Sequence, residues 1–233
     1  MSTSKPVVDD TVSRRDTPVE RVVIEDTTIR PSAAASEGTV KVNVGVEGVI
    51  RARWKEYIIH THLLRRHSGF FRATLCGALP GLKDGTITFQ AQPETFDHFV
   101  DWLYQQDAYS VDNTKTDFEV YVLAERLVAP KLKALCLDNV FEELEYGAPS
   151  LDEIAYTFLA LPEHDPLLRL VVDAECFNYG CRHDLTDEDK VKIGLIPPMF
   201  HVKFMIRRNE LVHIKGPRAE RPCQKDYSVL GWI

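Results

Sequence analysis

Hydrophobic and polar positions change their period repeatedly along the chain, and each change predicts an element. Val40, Val42, Val44 and Val46 fall on alternate positions, which puts them on one face of a strand. Gly45 and Gly48 flank the next turn. Val49 to Ile59, with Trp54, Tyr57, Ile58 and Ile59, reads as the second strand of a hairpin, bulged or bent near Lys55 and Glu56 where the alternation breaks. From His60 the spacing turns helical: Leu63, Leu64, His67, Phe70, Phe71 and Leu75 recur at three- and four-residue intervals, and Ser68-Gly69 divides the stretch into two short helices. Gly77 to Gly85 is a loop and Thr86 to Gln90 a third short strand. Pro93 opens a helix with the inner stripe Phe96, Phe99, Val100 and Leu103.

A polar stretch over residues 105–117 leads to a helix carrying Phe118, Tyr121, Val122 and Glu125. Pro130 starts the next, where Leu132, Leu135, Cys136, Asn139, Val140 and Leu144 share a face. Leu151 to Leu161 and Pro166 to Tyr179 keep the helical spacing, with Pro162 between them, and Pro197-Pro198 opens a helix through Arg208. Thr186 followed by Asp187, Glu188 and Asp189 is a helix N-cap with acids in the first turn, since the run lacks the alternating ligands and turn glycine of a calcium loop. A small sheet with helices on one side, packed through Phe70, Phe71, Phe96, Phe99, Leu103 and Tyr121, is an α+β domain. Residues 1–38 contain no aromatic residue and read as a disordered arm, with a short strand at Val22 to Ile24 as the alternative.

With 233 residues, 44% of them hydrophobic, the chain buries a core without disulfide or metal staples, and collagen, mucin and coiled-coil rod are excluded. No run of 18 apolar residues occurs and the first 20 residues lack the apolar stretch of a signal peptide, so the expected location is cytoplasm or nucleus, with no membrane partner. Five scattered cysteines then read mostly as buried reduced thiols. The net charge of −7 is unevenly spread: residues 138–189 carry −12 and residues 199–233 carry +4. Either the C-terminal segment docks on the acidic helices or the two are separate solvated faces. The apolar end, Tyr227 to Ile233, either docks on the body or serves as a short partner-binding peptide.

Several segments carry a family resemblance. His60, Leu63 and Leu64, then three spacers and Ser68, Phe70, Phe71 and Arg72, form His-x-x-Leu-Leu-x3-Ser-x-Phe-Phe-Arg; the TITF strand follows. After it come Pro93 and Phe96, then Phe99, Trp102, Leu103 and Tyr104, and later Tyr121 to Leu127 with Pro130-Lys131-Leu132. In these motifs and in element order residues 39 to about 145 resemble the BTB/POZ domain. The implied organisation is a disordered arm (1–38), a BTB/POZ domain of small mixed sheet and helical cluster (39–145), and a helical extension with a basic tail (146–233). The whole resembles BTB proteins abundant in filamentous fungi.

The resemblance implies protein–protein interaction. The family forms homodimers or heteromers, and many members bind a cullin scaffold and present a substrate to a ubiquitin ligase. Cullin binders carry a hydrophobic-x-Glu motif in the loop before the third strand; here the matching residues are Leu82, Lys83 and Asp84, with Asp in place of Glu. Members that dimerise through a helix ahead of the first strand have it where this chain has its polar, Pro-interrupted arm. Neither kelch repeats nor paired-Cys, paired-His fingers follow, so recruitment by an adaptor would fall to the tail or the arm.

No catalytic residue, cofactor or small-molecule substrate is assigned, because nucleophile-elbow and phosphate-loop motifs are absent from the sequence. His60, His62 and His67 match the family's core and helix surface rather than a metal set. Cys176, Cys181 and His183 form C-x4-C-x-H, the closest approach to ligand spacing, but no fourth ligand is near, and buried thiols are the expectation. Arg207, Arg208, Lys215, Arg218, Arg221 and Lys225, interleaved with Phe204, Tyr227 and Trp232, offer the alternative of a transcription or chromatin regulator using its tail on nucleic acid. Their modest density favours a solvated or paired segment.

Overall fold

A computed structural model describes residues 37–47, 54–77, 82–83, 85–106, 114–145, 147–178, 186–213 and 227, with the backbone alone at 82, 83, 114, 212 and 213. β1 (Thr39–Gly45) pairs antiparallel with β2 (Lys55–His60) and parallel with β4 (Thr86–Gln90). β4 pairs antiparallel with β3 (Leu82–Lys83), giving a four-stranded mixed sheet in the order β2-β1-β4-β3. Val40, Val42 and Val44 of β1, Tyr57 and Ile59 of β2, and Ile87 and Phe89 of β4 are buried on one face. Lys41, Glu56, Ile58 and Thr88 stay exposed on the other, so the helices cover one side of the sheet.

The bulge expected near Lys55 and Glu56 is not there. Pairing runs unbroken from Val44↔Lys55 to Thr39↔His60, and the adjacent apolar pair that breaks the pattern resolves into Ile59 facing in and Ile58, 63% exposed, facing out. The expected loop from Gly77 to Gly85 likewise contains β3. Its register is Lys83↔Thr86 and Leu82↔Ile87, and Gly85, just before β4, has φ +75°, a left-handed conformation that glycine adopts without strain.

α1 (Thr61–His67) and α2 (Gly69–Leu75) are separated at Ser68, whose backbone is extended. α3 (Pro93–Gln105) starts on its proline and buries Phe96, Phe99, Trp102 and Leu103. α4 (Thr114–Leu127) begins inside the stretch expected to be polar loop, because Asp117 within it is buried beside Phe118. α5 (Pro130–Leu144) follows after Val128 and Ala129. Phe71, Phe89, Phe96 and Phe99 meet with ring centroids 5.3–6.4 Å apart, under the sheet. Each such fully buried side chain contributes about 1.5–3 kcal/mol by leaving water.

Beyond residue 145 lie α6 (Leu151–Ala160), α7 (Pro166–Asn178), α8 (Asp187–Leu195) and α9 (Pro198–His213). Reciprocal capping boxes, Ser150 with Glu153 and Thr186 with Asp189, start α6 and α8, as the acids after Thr186 predict. α9 continues past Arg208 because Phe200, Phe204, Arg207 and Leu211 keep one inward stripe. The buried apolar core is continuous from Val40 to Tyr227. Of the expected arm, residues up to 36 lie outside the described residues; the Gly38 carbonyl accepts from the Thr61 amide at 3.0 Å, and Glu37 pairs with Arg65 at 3.3 Å.

Candidate partner-binding surface

The signature residues are brought together, and their contacts are with one another. His60 ends β2, and its Nδ1 lies 2.9 Å from the Tyr104 hydroxyl, which also accepts from the His60 amide at 3.4 Å. Leu63, Leu64, Phe71, Phe96 and Leu103 are buried, while Phe70 is half-buried with its ring 5.1 Å from Phe89. Ser68 accepts from the Phe71 amide at 3.2 Å, capping α2, and donates to the Leu127 carbonyl at 2.6 Å. The Gly69 amide donates to the Val128 carbonyl at 2.9 Å; a Cβ on Gly69 would lie 2.9 Å from Val128 Cγ1, so no side chain fits there. The α1–α2 break is thus clamped onto the α4–α5 turn.

Leu82 and Lys83 lie on β3, the last strand in the order β2-β1-β4-β3. Asp84 lies outside the described residues. The Asp84-Gly85 dipeptide ahead of an alternating strand was the sequence signal for this hairpin, and the reading of a plain loop missed it.

His67 is buried, with no hydrogen-bond partner for its Nε2 among the described residues, and burial pushes its imidazole down to about 4, so it is neutral at pH 7. Cys176 is half-buried and donates to the Phe204 carbonyl at 3.8 Å, and burial, then Asp173, push its thiol up to about 12. It is therefore a protonated thiol at neutral pH. Cys181 and His183 lie outside the described residues, among which no group of three His, Cys, Asp or Glu is arranged for a metal. Of the three described cysteines Cys136 is buried, Cys176 half-buried and Cys76 exposed; Cys223, like Cys181, lies outside the described residues.

Two polar networks, undetected in the sequence reading, join the extension to the sheet-bearing part and bind its own helices. Asp165, 5% exposed, accepts from Tyr121 Oη at 2.7 Å, the Leu167 amide at 2.9 Å and Lys133 Nζ at 2.6 Å; Lys133 also reaches Glu125 at 2.6 Å. Asp173, 1% exposed, takes Arg207 Nε and, at 2.5 Å, Tyr227 Oη. Lys203 pairs with Glu163 at 3.8 Å. Of the two readings of the charge asymmetry, pairing holds at these residues, and Tyr227 docks on the body. The rest of the apolar end, 228–233, and the tail residues 215, 218, 221 and 225 lie outside the described residues.

A cleft of about 430 Å³ opens between α7 and α9, lined among others by His164, Arg169, Lys203 and Tyr227. Leu195 at the end of α8 and Met199, Val202, Met205 and Ile206 of α9 are 43–70% exposed, Ile206 at the cleft, and exposed apolar side chains grouped on one element are of the kind that contacts other proteins. Among the described residues no helix is long and apolar enough to cross a membrane. No protein-family model matches the chain, and no curated protein matches its sequence.

Proposed function

We propose that this protein is a BTB/POZ-type interaction module acting by binding rather than catalysis, in the cytoplasm or nucleus, with protein partners. The observation that carries this reading is that the motif residues interlock: His60 with Tyr104, Ser68 with the α4–α5 turn, Phe71 with Phe96 and Phe99. Its specific form is a substrate adaptor for a cullin-type ubiquitin ligase, docking through the β3 edge at Leu82, Lys83 and Asp84; the alternative form is a self-associating scaffold. The exposed apolar side chains at the end of α8 and on α9 support a role for the extension as part of the binding platform. Engagement of Lys203 and Arg207 by Glu163 and Asp173 weighs against a nucleic-acid role for α9, since phosphate contacts need cations not already paired in this way.

The test is size-exclusion chromatography with light scattering on the full chain, alone and mixed with the N-terminal domain of a cullin at low salt. A stable complex that disappears in Leu82→Ala is the expected result. If no complex forms, the adaptor form is rejected, and a homodimer in the unmixed sample then identifies the scaffold form.

A further inference from the structure

Three features converge on one joint, where the break between α1 and α2 meets the turn between α4 and α5. The first is a pair of hydrogen bonds across it: Ser68 Oγ donates to the Leu127 carbonyl at 2.6 Å, and the Gly69 amide to the Val128 carbonyl at 2.9 Å. The second is Val128 itself, whose φ of +51° is left-handed, a costly conformation for a β-branched residue, although its side chain is exposed. The third is His67, the last residue of α1, which is 7% exposed and has no hydrogen-bond partner for Nε2 among the described residues.

The surroundings of His67 accept the neutral ring and reject the charged one. Trp102 of α3 meets it edge to face, with ring centroids 5.4 Å apart. The charged groups that act on it are Arg66 and His62 of α1 and Lys131 of α5, all of them basic, and no carboxylate is among them. A proton added to this imidazole creates a buried cation beside other cations, with nothing to solvate it. We infer that the joint between the α1–α2 break and the α4–α5 turn is an acid-triggered latch, shut while His67 is neutral and opened locally by its protonation. Separating the two segments hydrates the imidazolium, and the same movement breaks the two hydrogen bonds and releases Val128 from its left-handed backbone. The stored strain lowers the cost of opening, and the proton triggers it.

Amide hydrogen exchange on the full chain, expressed as protection relative to each amide's intrinsic rate, reads the latch at Gly69. With His67 pushed down to about 4 in the shut joint and returned to 6.5 in the open one, protection at Gly69 should fall about twentyfold between pH 7 and pH 5. Amides of β1 and β4 should not follow it, because the opening is local. In His67→Phe, which keeps an aromatic ring beside Trp102 and cannot be protonated, the fall at Gly69 should vanish; His67→Gln serves the same purpose if the Phe variant does not fold. An equal fall throughout the sheet would mean global unfolding, and a fall at Gly69 that survives in the variant would assign the titration to another group such as His62. Either result overturns the latch, as does unchanged protection in the wild type. None of these readouts depends on a partner protein.

Discussion

Ser68 carries two duties with one hydroxyl. As acceptor it caps α2, and as donor it satisfies the carbonyl of Leu127 at the end of α4. That second bond supports a strained neighbour: Val128, a β-branched residue, has φ +51°, a left-handed conformation that costs on the order of 1–3 kcal/mol and persists only when its surroundings fix it. Removing the hydroxyl loses the cap and leaves a buried carbonyl unpaired. Ser68→Ala should therefore destabilise the protein by about 2–3 kcal/mol, read as a lowered urea midpoint with unchanged slope. A loss no greater than that of an exposed serine would show that the clamp is dispensable. The residue itself was legible, since Ser68-Gly69 interrupts a helical period; its partner was not, because Leu127 is 59 positions away and offers only a backbone carbonyl.

Among elements, those with a long uniform period could be read and those without could not. β1 declares itself through Val40, Val42 and Val44, and α3 through Phe96, Phe99 and Leu103. β3 has two residues, too few to show any period, and only the Asp-Gly dipeptide after it marks it. α9 is apolar on both sides, with Phe200 and Leu211 inward and Met205 and Ile206 outward, so its end could not be read from amphipathicity. The joint between α4, α5 and α7 is the least legible, since Lys133 and Asp165 are 32 positions apart and each resembles an ordinary surface charge. In place, the Asp165 side chain is 1% exposed, which sets a large penalty on removing its cation. Lys133→Met should cost about 3–5 kcal/mol. Adding Asp165→Asn should return part of that loss, because the Asn oxygen still accepts from Tyr121 and Leu167 while the buried charge is gone. A double variant less stable than Lys133→Met in chemical denaturation would contradict this account.

For the whole molecule, two buried groups set opposing pH dependences. Burial raises the Asp117 carboxyl from 3.8 to about 6, against a single hydrogen bond from Asn139 that lowers it. Its contribution to stability is thus present below pH 3.8 and lost as the pH rises through 6. Burial lowers His67 from 6.5 to about 4, so its contribution is present above pH 6.5 and lost as the pH falls through 4. The two oppose each other across nearly the same window. Asp117→Asn removes one of them: its unfolding free energy should climb between pH 4 and 6.5 more steeply than that of the wild type. Parallel profiles for variant and wild type would contradict the assignment. His67 falls on a helical core stripe in the sequence, whereas Asp117 ends a polar stretch, with three polar neighbours before it and nothing local to announce its burial.

The distance along the chain between Lys133 and Asp165 also acquires a meaning in time. A ribosome adding about 5–20 residues per second delivers Lys133 some seconds before its acceptor. Until Asp165 emerges, the surface that α5 will later bury against α7 carries an ammonium ion that water solvates readily. An aliphatic residue there would leave an uninterrupted greasy face open to neighbouring nascent chains. Glu125, made earlier, can already hold Lys133, and Asp165 adds the second, buried carboxylate only when synthesis reaches the start of α7, which turns the lysine into an internal fastener.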